Sequence, residues 1–349
     1  MSAQTISVPA LVRMKPKALD RLGIYLSRAK HTHIALMQSS GLNQELVERA
    51  LASLASEGIA IDAHEVVEDA SFEQSARHLA RLSRETQAVV GLGGGKALDT
   101  AKYVAFLANL PYYAVPTSLS NDGFCSPQSS LTLAGKRKSL AARLPVGVVL
   151  DTEVCLQAPL PLWLSGVGDL VAKVTAVFDW KLSFHAQGEP VNDLAALLSD
   201  ATVRQFMAHP TRDDEGVRLL GTSLLLNGIA MEISGTSRPA SGSEHLISHA
   251  LDQISERPRL HGLQVGVATY LMARVQGQRA EEVGQVLKQT GFWEGVRADP
   301  FRKTEWGEAI RMAPSMKQNF FTVLSERDRS AELEWLIEQD PLLAGCFVA

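Results

Sequence analysis

The sequence predicts an α/β N-terminal domain built on a parallel sheet, followed by an all-α C-terminal domain, and three observations carry that prediction. Through the first 151 residues, short β-branched or apolar runs alternate with amphipathic helical patterns. Beyond that point the strand-like text stops and long helical patterns take over. Between the two, glycines cluster where a strand pattern passes into a helix pattern, as in Rossmann-like sheets.

The elements follow in order. HIALMQ (33–38) is the first strand, NQELVERALASLASEG a helix ending at Gly58, and IAIDAHEVV (59–67) the second strand. SFEQSARHLARLSRE offers Ser71 as N-cap, with Gln74 three residues on as its capping-box partner. AVVGLGGG (88–95) is a third strand running into glycines, YYAVPT (112–117) a fourth, and VGVVLD (146–151) closes this half. Strands alternating with helices of this length give βαβ units and a parallel sheet. From Pro159 onward LSGVGDLVAKVTAVFDWKLSF and GVRLLGTSLLLNGIAMEIS read as helices, with almost no convincing strand. The prolines of QAPLPLW mark the boundary, which gives an α/β domain over 1–155 and a helical domain over 156–349, the first expected, from the stretches described below, to bind a dinucleotide and the second a metal and substrate.

Composition narrows the partner. A chain of 349 residues, 46% of them hydrophobic, exceeds the size one core usually serves. A net charge of −4, from 34 basic and 38 acidic residues, provides no field for nucleic acid or an anionic membrane, so a small molecule is expected. The three cysteines, Cys125, Cys155 and Cys346, have no C-x-x-C spacing and suit a reduced compartment. MSAQTISVPALVRMKPKALDRL has no uninterrupted apolar core of a signal peptide, and no membrane span is expected, so the expected location is cytoplasmic.

Two stretches bear chemistry. Gly93, Gly94 and Gly95 precede a helix whose apolar face is Leu98, Ala101, Ala105 and Ala108. Glycines there allow close backbone approach, and the helix N-terminus offers free N–H groups to a phosphate. The match to known fingerprints is partial. Lys96 stands at the last glycine position of G-x-G-x-x-G, and Ala97 stands where Walker A needs Ser or Thr. In SGSEHLISHALDQISERPRLHGLQVG, His245 and His249 share a helix face, and His261 belongs to a neighbouring helix. Asp169, in an apolar helix just after a Gly-rich start, is the candidate carboxylate for a metal held by imidazoles. Taken singly, a helical histidine is more often a satisfied core or surface residue, and spacing leaves that choice open. Asp122 in SNDG reads equally as a turn residue.

The ordered set GGGKALDTAK, PTSLSNDG, GVGDLVAKVTAVFDWKL, SGSEHLISHALD and LHGLQVGVAT resembles the glycerol-1-phosphate dehydrogenases, within the iron-containing alcohol dehydrogenase and dehydroquinate synthase-like superfamily. The matching motifs run from about Ala88 to about Thr269. The resemblance implies a dehydroquinate synthase-like fold and reversible NAD(P)-linked reduction of dihydroxyacetone phosphate to sn-glycerol 1-phosphate. It implies one divalent metal ion on Asp169, His245 and His261, zinc first, with nickel or iron as alternatives. NAD or NADP would lie on Gly94, Gly95, Lys96, Ala97 and Leu98, on Thr117, Ser118, Leu119 and Ser120, and on Ser126. Asp122, Asp169 and His249 would meet substrate, with Asp122 and His249 catalytic and His249 relaying a proton to the product alkoxide.

Departures from the family pattern shape these expectations. Iron-dependent members carry a further ligand histidine four residues after the aspartate, where this chain has Lys173, so a three-ligand site is expected. Gln38-Ser39-Ser40, at the end of the first strand, lacks an acidic residue to select NAD over NADP, so both are expected. Lys136, Arg137, Lys138 and Arg143 are candidates for the substrate phosphate, against the plainer reading of a solvated hairpin tip. Exposed helical surfaces suggest a homo-oligomer. Alternative readings are a glycerol dehydrogenase, a dehydroquinate synthase-like lyase, and a binding protein that retains the fold.

Overall fold

The computed structural model of the chain describes residues 6–349, so the reading of the extreme N-terminus falls partly on residues 1–5, outside the described residues. The chain divides into two compact units, one up to Ala158 and one from Pro159.

The first unit contains, in order, β1 (Leu11–Lys15), α1 (Leu22–Arg28), β2 (His33–Ser39), α2 (Gln44–Ser56), β3 (Ala60–Val67), α3 (Phe72–Ala80), β4 (Ala88–Gly93), α4 (Gly95–Ala108), β5 (Tyr112–Pro116), β6 (Gln128–Leu133), β7 (Lys136–Ala141), β8 (Gly147–Asp151) and α5 (Thr152–Gln157). Six strands form a parallel sheet in the order β1-β8-β5-β4-β2-β3. Every residue of β4, β5 and β8 is buried, which is why these strands read as continuous apolar runs rather than alternating ones. On one face Ile34, Leu36, Val90, Leu92, Val115 and Val149 pack with Leu22 and Leu26 of α1 and Ala50 and Leu54 of α2.

Sequence reasoning missed β1, because LVRMK lies at the sheet edge with charged Arg13 and Lys15 interrupting its apolar residues. The basic segment forms an antiparallel hairpin, β6 with β7, along which Lys136, Arg137 and Lys138 are exposed. Ser71 caps α3 by accepting the Gln74 N–H at 3.2 Å, while its own N–H donates to Asp69 at 2.9 Å, so an aspartate takes the place expected of the Gln74 side chain.

The second unit is helical: α6 (Leu160–Val171), α7 (Lys173–Gln187), α8 (Asp193–Met207), α9 (Asp214–Ser234), α10 (Ser243–Ile254) and α11 (His261–Gln276), with shorter helices after them. The single helix expected over 164–184 is in fact two, joined at Ala172, and Asp169 lies in the last turn of α6 rather than just after a helix start. Two-residue strands, β9 (Phe301–Arg302) and β10 (Phe347–Val348), pair in parallel and are too short for any period to reveal them.

The crossing of α6 and α11 depends on glycine. A Cβ on Gly168 would stand 1.9 Å from the Gly262 carbonyl oxygen, and one on Gly262 would stand 1.7 Å from that of Ser165. Residues 160–187 and 214–234 are long and apolar enough to cross a membrane by length and composition, yet 83% and 67% of their most apolar windows are buried within the protein, as in core helices.

Candidate metal centre and nucleotide cradle

In the first unit the chain leaves β2 toward β3 on one side and then returns to β4 on the other, so the strand order switches between β2 and β4. Ligands of open parallel sheets bind outside the carboxyl ends of the strands at such a switch. Ser39 ends β2 and Gly93 ends β4, and the Ser39 hydroxyl accepts the Gly94 N–H at 2.9 Å. Gly93 has φ +134°, and a Cβ there would stand 2.2 Å from Ser39 Oγ, so only glycine fits. Leu98 N–H makes the first helical hydrogen bond, to Gly94 O, so the N–H groups of Gly95, Lys96 and Ala97 precede the ladder of α4. No atom lies within 4 Å of a Cβ added to Gly94 or Gly95. That open ground beside helix N–H groups fits a pyrophosphate. Leu98 contributes a buried side chain, and its N–H is already used.

The loop after β5 begins at Thr117, whose N–H bonds to Gly93 O at 3.0 Å, so it abuts the glycines. Ser118, Leu119 and Ser126 are buried, and Ser120 and Asp122 are partly exposed. The turn chemistry of SNDG belongs to Asn121, which accepts the Gly123 N–H at 2.9 Å and opens a short 3-10 turn starting at Asp122. Sequence reasoning missed what holds this loop. The Lys102 ammonium, fully buried, donates to the carbonyls of Gly123 (2.6 Å), Gln128 (2.6 Å) and Ser126 (3.3 Å) and lies 3.2 Å from Asp99. Of the cations considered for a phosphate, Arg137 bonds Ser130 at 2.6 Å. Arg143 bonds Asn109 at 2.7 Å and covers Phe106, at the opposite end of α4 from the glycines.

In the second unit the structure brings Asp169, His245 and His261 together, with one ligand atom from each lying within 4.8 Å of the others. Asp169 Oδ1 is 3.5 Å from His245 Nε2 and 3.9 Å from His261 Nε2. His245 Nδ1 faces Glu244 at 2.8 Å, and His261 Nδ1 faces the Ser248 hydroxyl at 3.2 Å, whose proton goes to Gln264 at 2.7 Å. Each ring therefore spends Nδ1 on a neighbour and turns Nε2 toward the aspartate. Two imidazole lone pairs and a carboxylate oxygen on one buried spot form a donor set that fits a divalent transition metal.

Lys173 stands beside this cluster, its buried ammonium 3.5 Å from Asp169 Oδ1 and bonded to Ala240 O. Burial by itself would raise the Asp169 carboxyl, but the Lys173 charge and then His245 outweigh it and hold the group well below the ordinary carboxylate range. Burial would lower His245, and the carboxylates of Asp169 and Glu244 reverse that and raise it. His249, one turn on from His245, is partly exposed, with its ring stacked on His261 at 6.2 Å between centroids.

A carboxylate layer behind the cluster had no signal in the sequence. Asp179 of α7 accepts from Ser243 N–H (2.7 Å), Ser243 Oγ (2.5 Å) and Val323 N–H (2.8 Å). Burial, then repulsion from Glu244, pushes Asp179 up to about 7. It serves as a tertiary cap for α10, whose own N-cap position is Gly242.

The sequence profile of the iron-containing alcohol dehydrogenase family matches residues 13–159. A glycerol-1-phosphate dehydrogenase of Aeropyrum pernix, NAD(P)+-linked by name, is 34% identical, with 95% of this chain and 96% of that one covered. The chain belongs to the glycerol-1-phosphate dehydrogenase family. A second member, from Methanothermobacter thermautotrophicus, is 36% identical over the same shares of the two chains. Among solved structures, a glycerol dehydrogenase of Schizosaccharomyces pombe superposes with a TM-score of 0.74 at 18% identity, covering 99% of this chain and 92% of that one, which shows the shared fold. The glycerol-1-phosphate dehydrogenase family thus accounts for the parallel sheet followed by helices.

Proposed function

We propose that the protein is a metal-dependent, NAD(P)-linked oxidoreductase that interconverts dihydroxyacetone phosphate and sn-glycerol 1-phosphate. The observation that carries this reading is the convergence of Asp169, His245 and His261, in a chain 34–36% identical to the named relatives over nearly its full length. These three residues would hold a divalent ion, which would supply polarisation of the C2 oxygen of the ketone, and a bound nicotinamide would supply the hydride. Zinc suits the N,N,O donor set, and nickel and iron are the alternatives.

The chain's own residues do the rest. The N–H groups of Gly95, Lys96 and Ala97, at the start of α4, hold the pyrophosphate, and Thr117 to Ser120 and Ser126 line the coenzyme. The Ser39-Ser40 ending of β2 and its neighbour admits both NAD and NADP. Asp122 accepts a hydrogen bond from a substrate hydroxyl. His249 holds a proton for the C2 oxygen of the product and withdraws it in reverse.

Oxidation of NADH and NADPH is measured with dihydroxyacetone phosphate against dihydroxyacetone, in protein stripped by chelation and reloaded with zinc or nickel. Metal-dependent oxidation that prefers the phosphorylated ketone and is abolished in Asp169→Asn is the expected result. Preference for the unphosphorylated ketone would move the protein to glycerol dehydrogenase chemistry, and turnover without net NADH loss would move it to a lyase.

A further inference from the structure

We propose that Glu244 is the positioning residue of the metal centre, its buried carboxylate fixing the His245 ring with the proton on Nδ1 so that Nε2 is presented as the ligand atom. This rests on the metal reading above. Glu244 is wholly buried, and both its oxygens are engaged. Oε1 accepts the Gly242 N–H at 2.5 Å and faces His245 Nδ1 at 2.8 Å, while Oε2 accepts the Thr175 hydroxyl at 2.7 Å. A carboxylate oxygen only accepts, so the imidazole nitrogen facing Oε1 is the donor. The lone pair is then on Nε2, 3.5 Å from Asp169 Oδ1. Flipping the ring would place carbon against the carboxylate and lose a charge-assisted hydrogen bond in a buried setting.

The carboxylate is itself held from two directions, by the backbone ahead of α10 and by Thr175 of α7. A Cβ on Gly242 would stand 2.7 Å from Asp179 Oδ2 and 2.9 Å from Glu244 Oε2, so glycine lets both carboxylates close on the start of α10. His261 is held differently, by a neutral serine hydroxyl at the longer distance of 3.2 Å. A carboxylate behind a ligand histidine fixes its tautomer and raises its basicity more than a hydroxyl does. The two histidines thus have unequal support, and Glu244 carries the stronger share.

Two measurements on the zinc-loaded protein test this. In ¹⁵N-histidine spectra, His245, assigned by its loss in His245→Ala, is metallated at Nε2 with a slowly exchanging Nδ1–H. Metallation at Nδ1, or an Nδ1–H no better protected than in Glu244→Ala, would overturn the proposal. Zinc affinity, by competition with a chelating dye, falls about 10- to 100-fold in Glu244→Ala. It falls less in Glu244→Gln, which keeps an acceptor, and less in Ser248→Ala. Melting curves establish that each variant folds; should Glu244→Ala fail to, the Gln variant and the wild-type spectrum decide. Wild-type affinity in the Glu244 variants alongside weakened binding in His245→Ala removes the role of Glu244 alone. Wild-type affinity in His245→Ala removes the metal reading, and this proposal with it.

Discussion

At the scale of single residues, the two lysines placed in the interior hold different things. Lys173 stands four residues after Asp169, where its ammonium keeps that carboxylate ionised. Lys102 ties α4 to residues 123–128 through three carbonyls and pairs with Asp99 of its own helix. Asp99 is raised by its burial, with Lys102 opposing that effect. Lys102→Met keeps the length of the side chain but leaves those acceptors without a donor and a buried carboxyl without its cation. It is expected to cost about 3 kcal/mol in urea unfolding and to speed hydrogen exchange across residues 122–128. Exchange as slow as in the wild type would show that the loop is held by something else.

At the scale of elements, the three residues proposed as metal ligands come together because α6 and α11 cross at glycines. Gly168 and Gly262 let the backbones touch, and the crossing sets Asp169, on α6, against His261, the first residue of α11. Gly262→Ala inserts a methyl group where the Ser165 carbonyl stands, and a helix must move to admit it. The expected loss is about 1 to 3 kcal/mol of stability, accompanied by weaker zinc binding, because the same shift separates the ligands. A variant that melts lower yet binds zinc as the wild type does would show that the ligands follow one helix and ignore the other. Gly266 supports the same crossing, since a Cβ there would stand 2.9 Å from the Gly168 Cα of α6.

At the scale of the whole molecule, the metal should act as a clamp on the helical unit. A ligand that binds only the folded state adds stability as RT ln(1 + [L]/Kd), about 2.7 kcal/mol at a hundredfold excess over Kd. Chelation is therefore expected to lower the melting temperature, zinc to restore it in a concentration-dependent way, and Asp169→Asn to abolish the response. A melting temperature indifferent to zinc and chelator would contradict a site on Asp169, His245 and His261. The two long apolar stretches, residues 160–187 (α6 and α7) and 214–234 (α9), are mostly buried in this unit's interior, so their hydropathy reports core.

The alternation of strands and helices, the glycines after β4 and the change of character near Pro159 were legible in the sequence, because local periodicity and backbone permissiveness are properties of short windows. The edge strand β1 and the two-residue pair β9 and β10 were not, because Arg13 and Lys15 interrupt the apolar run of the first and two residues carry no period in the others. The candidate ligands could be named from motif order, yet spacing alone left each histidine ambiguous. Their meeting was decided by tertiary structure, since Asp169, His245 and His261 come from three helices and converge only where glycine removes the side chains between them. The supporting groups, Glu244, Ser248 and Lys102, were decided there too. A buried charge or hydroxyl has no periodic signature, and its role is set by which distant donor or acceptor the fold brings within about 3 Å.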